Sequence, residues 1–287
     1  MSDRRRSLLH RPRSRAGFTI AEMLVYMVIS SVVLMSTYRV MMRQGRGYSQ
    51  QIASTDVDES ARGAASLLAW ELRQSGIAND GLQVLGAHSI ALRSVQGVGI
   101  VCAKHSTLPR YGIWKQGGDI QATADDSAML YVADVQKWRK LKIAAVGTPS
   151  GFGVTSCDGA SGRAPDLVVE VTVTSASDTS GVKVGALLRA FRKVKYSEFT
   201  DGGRWWLGRK VGNATSWEKL TGPLLDSTSN GLTFTYQTAS GATTTSPSSV
   251  AVVQVLVRTE SNKKYRTNGG DPTYRQDSIS TKVALRR

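Results

Sequence analysis

From Phe18 to Tyr38 the chain is apolar at most positions. This run of 21 residues holds no Gly and no Pro, and Glu22 is its one charge. At 1.5 Å per residue a helix of that length spans about 31 Å, the thickness of a bilayer's hydrocarbon core. Beyond Tyr38 the pattern changes character instead of stopping. Ile52, Val57, Ala61, Ala64, Leu68 and Leu72 recur at helical steps, while Asp58, Glu59, Arg62, Glu71 and Arg73 fill the other faces. The spacing predicts one long helix from Phe18 to about Ser75, apolar all round at first and amphipathic afterwards. Gly45 and Gly47 each lower helix stability by roughly 1 kcal/mol relative to Ala, so a kink or a melted turn is expected there. Gly76 suits a left-handed cap at the end.

After Gly76 the period shortens to two. Short runs of β-branched and aromatic residues alternate with Gly, Ser, Asp and Asn. Strands are predicted at Ser89–Val95, Val98–Ala103, Ala128–Ala133, Leu141–Val146, Leu167–Thr174, Ala186–Val194, Leu232–Gln237, Val250–Thr259 and Ile279–Leu285. Ser175–Gly181 and Ala239–Ser249 read as exposed loops. The predicted class is α+β: a long N-terminal helix packed on an antiparallel sheet. The organisation read from the chain is a basic leader (1–17), a membrane-length apolar helix (18–42), its amphipathic continuation (43–76) and a β-rich globular part (77–287). No internal repeat or further boundary stands out.

Composition fits a folded chain, with 41% hydrophobic and 21% charged residues. The net charge of +15 invites a nucleic-acid reading. Residues 1–17, however, carry six Arg against Asp3, so the rest of the chain holds 15 − 5 = +10. Two cysteines, Cys102 and Cys157, exclude a disulfide-built miniprotein and a four-Cys zinc site. Either they form a disulfide, which an extracytoplasmic compartment tolerates, or they are two unpaired thiols.

Little else carries chemistry. His10 falls in the leader, and His88 and His105 have no metal-ligand spacing around them, so both read as surface residues. No metal site and no cofactor is expected. Gly97 and Gly99 read as turn or strand-edge glycines, and Asp125-Asp126 as a solvated turn. No enzyme is evident. Lys137, Arg139 and Lys140 around Trp138, Arg189–Lys195, and Arg204 beside Trp205 and Trp206 set cations near aromatics. Such mixtures can hold single-stranded nucleic acid, whereas half-buried sheet tryptophans with solvated neighbours give the same pattern.

Three readings compete for the N-terminus. A secretory signal has a shorter apolar region and a small-residue cleavage site after it; here Arg39, Met41, Met42 and Arg43 follow instead. An uncleaved anchor, its Arg-rich side cytoplasmic by the positive-inside rule, leaves Glu22 unexplained. The stretch Gly17-Phe18-Thr19-Ile20-Ala21-Glu22-Met23-Leu24-Val25 resembles the class III signal of type IV prepilins. There a basic leader ends in Gly, the next residue becomes a methylated N-terminus, and the fifth mature residue is Glu. Ala21 is a departure, since many members carry a bulkier residue there.

The resemblance implies cleavage between Gly17 and Phe18, N-methylation of Phe18, and a register role for Glu22 in assembly. It also implies partners: a prepilin peptidase, other pilins or pseudopilins, an assembly platform and the inner membrane, with the C-terminal domain outside the cytoplasm. The helix end Leu72-Arg73-Gln74-Ser75-Gly76 and the closing segments Asn230-Gly231-Leu232, Val250–Val257 and Val283-Ala284-Leu285-Arg286 are similar to minor pilins of the PilW kind and to large minor pseudopilins of type II secretion. The rival classes are a membrane-anchored extracytoplasmic binding or enzymatic module, and a DNA-binding tip subunit.

Overall fold

The computed structural model describes residues 17, 19–75, 81–122, 126–157, 163–173, 181–265 and 271–285. The leader before Gly17, Phe18, Gly76, Asp125 and nearly all of the predicted loop 175–181 lie outside these. The chain divides into two compact units, Met1–Ile52 and Ala53–Arg287.

Helix α1 covers Ile20–Ser75. It is uninterrupted through Gly45 and Gly47, so the expected melted turn is not found. Neither glycine has a positive φ, and a Cβ at either would meet nothing within 4 Å. Each glycine weakens the helix without forcing the backbone out of it. In the first unit the helix buries almost nothing of itself: residues from Ile20 to Met42 are exposed on every face. In the second unit one stripe, Val57, Ala61, Ala64, Leu68 and Leu72, is buried against the sheet. Ile52, the first position of the predicted stripe, is exposed. Ala61, Ala64, Ala65 and Ala69 are small enough to bring the helix close to the strands.

Among the described residues twelve strands follow, every pair antiparallel. They are β1 (Leu82–Leu85), β2 (Ser89–Lys104), β3 (Arg110–Gly118), β4 (Ser127–Val132), β5 (Lys137–Gly147), β6 (Leu167–Thr172), β7 (Leu187–Asp201), β8 (Arg204–Val211), β9 (Glu218–Leu224), β10 (Leu232–Gln237), β11 (Val252–Glu260) and β12 (Gln276–Ala284). The architecture is α+β, as the pattern predicts. The predicted strands Ser89–Val95 and Val98–Ala103 are one strand, with the register slipping between Val95 and Gly97. Strands β1, β3, β8 and β9 are additions to the predicted set.

The long pair β2 and β7 organises the whole. Its outer part, Ser89–Val95 with Phe191–Ser197, lies in a sheet with β1, β8, β9, β10, β11 and β12. This sheet carries α1. Its core joins Leu68 and Leu72 to Ile90, Leu92, Tyr196, Leu207, Phe234, Val253, Val255 and Val257. The inner part of the same pair closes a ring: β2 to β3, β3 to β6, β6 to β5, β5 to β4, β4 to β7, and β7 back to β2. A six-stranded barrel is therefore inserted between the outer halves of β2 and β7. Its interior is filled by Ile113, Leu130, Leu141, Ile143, Val169, Val171 and Leu188.

Gly97 and Gly99 face that interior. A Cβ would fall 2.6 Å from Ile120 Cγ1 at the first and 2.3 Å from Ile113 Cγ2 at the second. They are mid-strand glycines that make room for two isoleucines, not the turn or edge residues predicted from the chain. Between the two apolar cores sits a polar layer. Ala190 lies in the barrel core and Val194 in the helix-side core. Arg192, between them, pairs with Asp126 at 2.7 and 2.9 Å. The Asp126 side chain is 3% exposed. It is a buried ion-pair partner and not the solvated turn residue expected of Asp125-Asp126. The strong geometry answers the physics, since a buried carboxylate must be matched by a charge and hydrogen bonds.

Candidate functional site

At the N-terminus, Gly17 is exposed, and a Cβ there would meet nothing within 4 Å. The fold has no need of glycine at this position. Phe18, the residue expected to become the methylated terminus, lies outside the described residues. Thr19 precedes the first helical residue, and its Oγ1 accepts a hydrogen bond from the backbone N–H of Glu22 at 3.2 Å. Thr19-x-x-Glu22 is thus the spacing of a capping box. That signal was present in the sequence, and it adds a local role for Glu22 to the dipole argument: an acid in the first turn faces the unsatisfied N–H groups of the helix start.

The rest of the segment suits an apolar surrounding. Ile20, Met27, Val28, Leu34 and Met41 are all more than 60% exposed. Ser31 Oγ donates to Val28 O, and Ser36 Oγ and Thr37 Oγ1 donate to Val33 O, at 2.8–2.9 Å. These hydroxyls are satisfied within the helix, which is what lipid or packed helices demand. By length and composition this helix can cross a membrane.

The second set of predicted residues is split. Lys137, Arg139 and Lys140 stand on β5 and line an open groove on the barrel with Trp138, Lys142 and Thr172. Arg204, Trp205 and Trp206 stand on β8, opposite Asp201, Thr200 and Phe199 of β7. Ten residues of β7 separate Phe199, opposite Trp206, from Arg189, which flanks the groove, so about 33 Å of strand lies between the two sets. The β8 set is also engaged locally. Arg204 binds Glu260 at 3.0 Å and the carbonyls of Ser261 and Asn262, and lies over Tyr274. Trp205 packs on the helix-side core. Trp206 donates to Asp201 O, and Lys219 covers its ring. The half-buried sheet reading describes this trio.

Cys102 and Cys157 are bonded to each other, with Cα atoms 4.9 Å apart. They share a small apolar cluster outside the barrel with Ala103, Val154 and Val168, flanked by Trp114 and Phe152. The bond ties the segment after β5 to the end of β2.

His88 is not a simple surface residue. Its Nδ1 lies 2.8 Å from Leu232 O and 3.5 Å from Glu198 Oε1. The Glu198 carboxyl is 5% exposed, and burial pushes its pKa above the usual carboxylate range, against the pull of His88 and of the Leu232 backbone N–H. His105 Nδ1 accepts from the N–H groups of Thr107 and Leu108, closing a turn. Among the described residues no group of three or more His, Cys, Asp or Glu is placed to hold a metal.

Residues 12–38 match the family described as the prokaryotic N-terminal methylation motif. No curated protein matches the chain in sequence. Among solved structures, the aminopeptidase APDkam598 from the archaeon Desulfurococcus kamchatkensis aligns over 57% of this chain and 47% of its own, at 13% identity and a TM-score of 0.22. The chain therefore covers less than half of that protein, and an overlap this slight bears on neither fold nor activity.

Proposed function

For a chain that carries the type IV prepilin signature at residues 12–38, we propose the role of a minor pilin or minor pseudopilin: a structural subunit and not an enzyme. A prepilin peptidase removes the leader between Gly17 and Phe18, and Phe18 becomes an N-methylated terminus. The first part of α1 holds the chain in the inner membrane and later packs among its counterparts in the filament core. The sheet and barrel then meet sibling subunits outside the cytoplasm, in an initiating or capping position.

The observation that carries this reading is the coincidence at one point of the chain. A glycine that the fold does not require stands before a helix that is apolar on all sides and has one acid in its first turn. A requirement for Gly17 then comes from whatever reads the chain, and a peptidase subsite is such a reader. Glu22 serves two stages. Near the membrane interface its charge costs less than at mid-bilayer, and in a filament it can meet the free amine of Phe18 on a neighbour. A buried pair of that kind fixes register, because loss of either member strands the other.

The test is intact-mass and N-terminal peptide analysis of the protein made with and without a prepilin peptidase. The expected product begins at N-methyl-Phe18, and Gly17→Phe remains full length with its fold unchanged, since the added side chain enters open space. A wild-type chain that stays unprocessed beside an active peptidase would sink the proposal. It would leave an anchored extracytoplasmic module in its place.

A further inference from the structure

We propose that the outer edge of β12 takes up an extended segment of another protein as a further antiparallel strand, whether or not the chain is processed or assembled. β12 pairs with β11 in an unbroken register from Val252↔Ala284 to Glu260↔Gln276, and among the described residues no strand lies on its other side. Ladder bonds just beyond its ends show which backbone groups point where. Ser261 N–H donates to Arg275 O at 2.7 Å, and Leu285 N–H donates to Ala251 O at 2.9 Å. By the alternation of an antiparallel ladder, Asp277, Ile279, Thr281 and Val283 turn their N–H and C=O groups to β11. Gln276, Ser278, Ser280, Lys282 and Ala284 turn theirs away. Asp277 Oδ1 accepts the Ser278 N–H at 2.7 Å, which closes that end, and the open row runs from there to Ala284. The fold treats β10, on the opposite side of β11, differently. Leu232 O accepts from His88 Nδ1, Phe234 N–H donates to Ala87 O, and Tyr236 O accepts from Thr244 N–H, at 2.8–3.0 Å. Loops thus meet each outward residue of β10.

A row of outward N–H and C=O groups suits a strand, and the side chains say which strand. Ile279, Thr281 and Val283 lie beside Val257, Val255 and Val253, on the face that packs under α1. Val283 is buried, and Ile279 and Thr281 are half-buried. An added strand meets these three in close, non-hydrogen-bonded pairs, and extends the core if its own side chains there are apolar or β-branched. On the other face Lys282 is exposed, opposite Gln254 of β11 with Val252 and Leu256 diagonal to it. β11 offers it no carboxylate, so the added strand supplies one. A second copy of this chain does not. In an antiparallel self-pair, outward residues meet outward residues, so Lys282 would face Gln276, Ser278, Ser280, Ala284 or the other Lys282, none of them acidic. The lysine turns away its own kind and admits a segment that brings an acid.

The test uses the full chain in detergent and one probe, an end-capped heptapeptide reading threonine, valine, glutamate, isoleucine, threonine, valine, threonine. In antiparallel register it sets glutamate opposite Lys282 and its aliphatic residues opposite Val283, Thr281 and Ile279. Amide hydrogen exchange over residues 276–285 is read with and without the peptide. Exchange at Ser280, Lys282 and Ala284 is expected to slow about tenfold with peptide at about ten times its Kd, while β10, already bonded, is unchanged. Lys282→Glu should weaken this binding about fivefold, and a peptide with lysine for its glutamate should restore it on the variant. Ser280→Pro removes one outward N–H and no bond to β11, and should weaken binding about tenfold. The charge exchange at exposed Lys282 decides the matter even if Ser280→Pro disturbs the strand. No protection of β12 at millimolar peptide overturns the proposal. So does protection that ignores the charge exchange. Exchange at β12 that slows with protein concentration alone also overturns it, and would give the edge to a second copy.

Discussion

Leu34 and Leu68 belong to one helix and could hardly be more differently placed: the first is 69% exposed and the second 0%. The difference runs through the helix. From Ala53 onward the chain buries one stripe and wets the rest, so the sheet supplies the stabilisation. From Ile20 to Met42 there is no dry face and no wet one, and nothing among the described residues of the unit covers it. A helix that is apolar all round takes its surroundings from elsewhere, from lipid or from other helices. One part is built for the fold and the other for a solvent that is not water. The two parts should therefore answer the same insult in different assays.

The largest effect comes from placing a carboxylate in each part. Leu68→Asp loses a buried leucine, worth about 2–5 kcal/mol, and strands a charge in the core at a further several kcal/mol. Cooperative unfolding of the sheet domain, followed by tryptophan fluorescence in urea, should vanish. Leu34→Asp should leave that transition where it was. Its cost should appear in membrane retention instead, at about 2.5–3.5 kcal/mol for an acid at mid-helix. Matching losses in the urea transition would mean that the first part of α1 is a component of the fold.

A second, smaller effect examines the sheet side alone. Asp126→Ala leaves Arg192, 15% exposed, without its partner in the polar layer between the two cores. Breaking such a pair costs about 3–5 kcal/mol, whereas exchanging both members for apolar groups is often nearly neutral. Chemical denaturation of Asp126→Ala, and of Asp126→Leu combined with Arg192→Met, should separate these cases. If the single change is harmless, the layer is solvated and the barrel is less closed than its pairing indicates.

Much of this contrast was legible in the amino-acid sequence, because it rests on periodicity. The all-apolar run, the stripe from Val57 to Leu72 and the existence of strands β10 and β11 follow from side-chain spacing alone, whereas their pairing does not. The barrel did not announce itself. Strands β2 and β7 pass from one core to the other without a linker, and the slip after Val95 broke one long strand into two apparent ones. Gly97 and Gly99 looked like punctuation because a glycine that makes room for Ile120 and Ile113 leaves no local trace of its neighbours. Asp126 looked wet because its partner Arg192 is 66 residues away. At the N-terminus the motif residues were legible because they are contiguous. The basic groove was only half legible: β5 shows its cations in a row, whereas Arg189 joins them through strand pairing, and the β8 trio resembled them in composition without sharing their place.

The smallest effect concerns a polar group on the sheet that carries the helix. Glu198 is raised above the ordinary carboxylate range, chiefly by burial. Below that range the carboxyl is protonated in both folded and unfolded chains and contributes no pH dependence. As pH rises through the ordinary value, about 4.3, the unfolded chain releases its proton first. The unfolded state then binds fewer protons than the folded one, so stability falls with pH until the folded carboxyl also ionises, and it stays lower above that point. Glu198→Gln removes this loss. Its melting temperature, compared with that of the wild type from about pH 4 to pH 7, should rise relative to the wild type as pH increases. The comparison also cancels Asp226, whose pKa is lowered by hydrogen bonds from Ser229 and Thr228 and whose own slope has the opposite sign. A variant that becomes less stable than the wild type at neutral pH would mean that the contact with His88 outweighs burial. Glu198 would then be a stabilising ion-pair partner, and the sheet would tolerate its buried charge by pairing, as it does at Asp126.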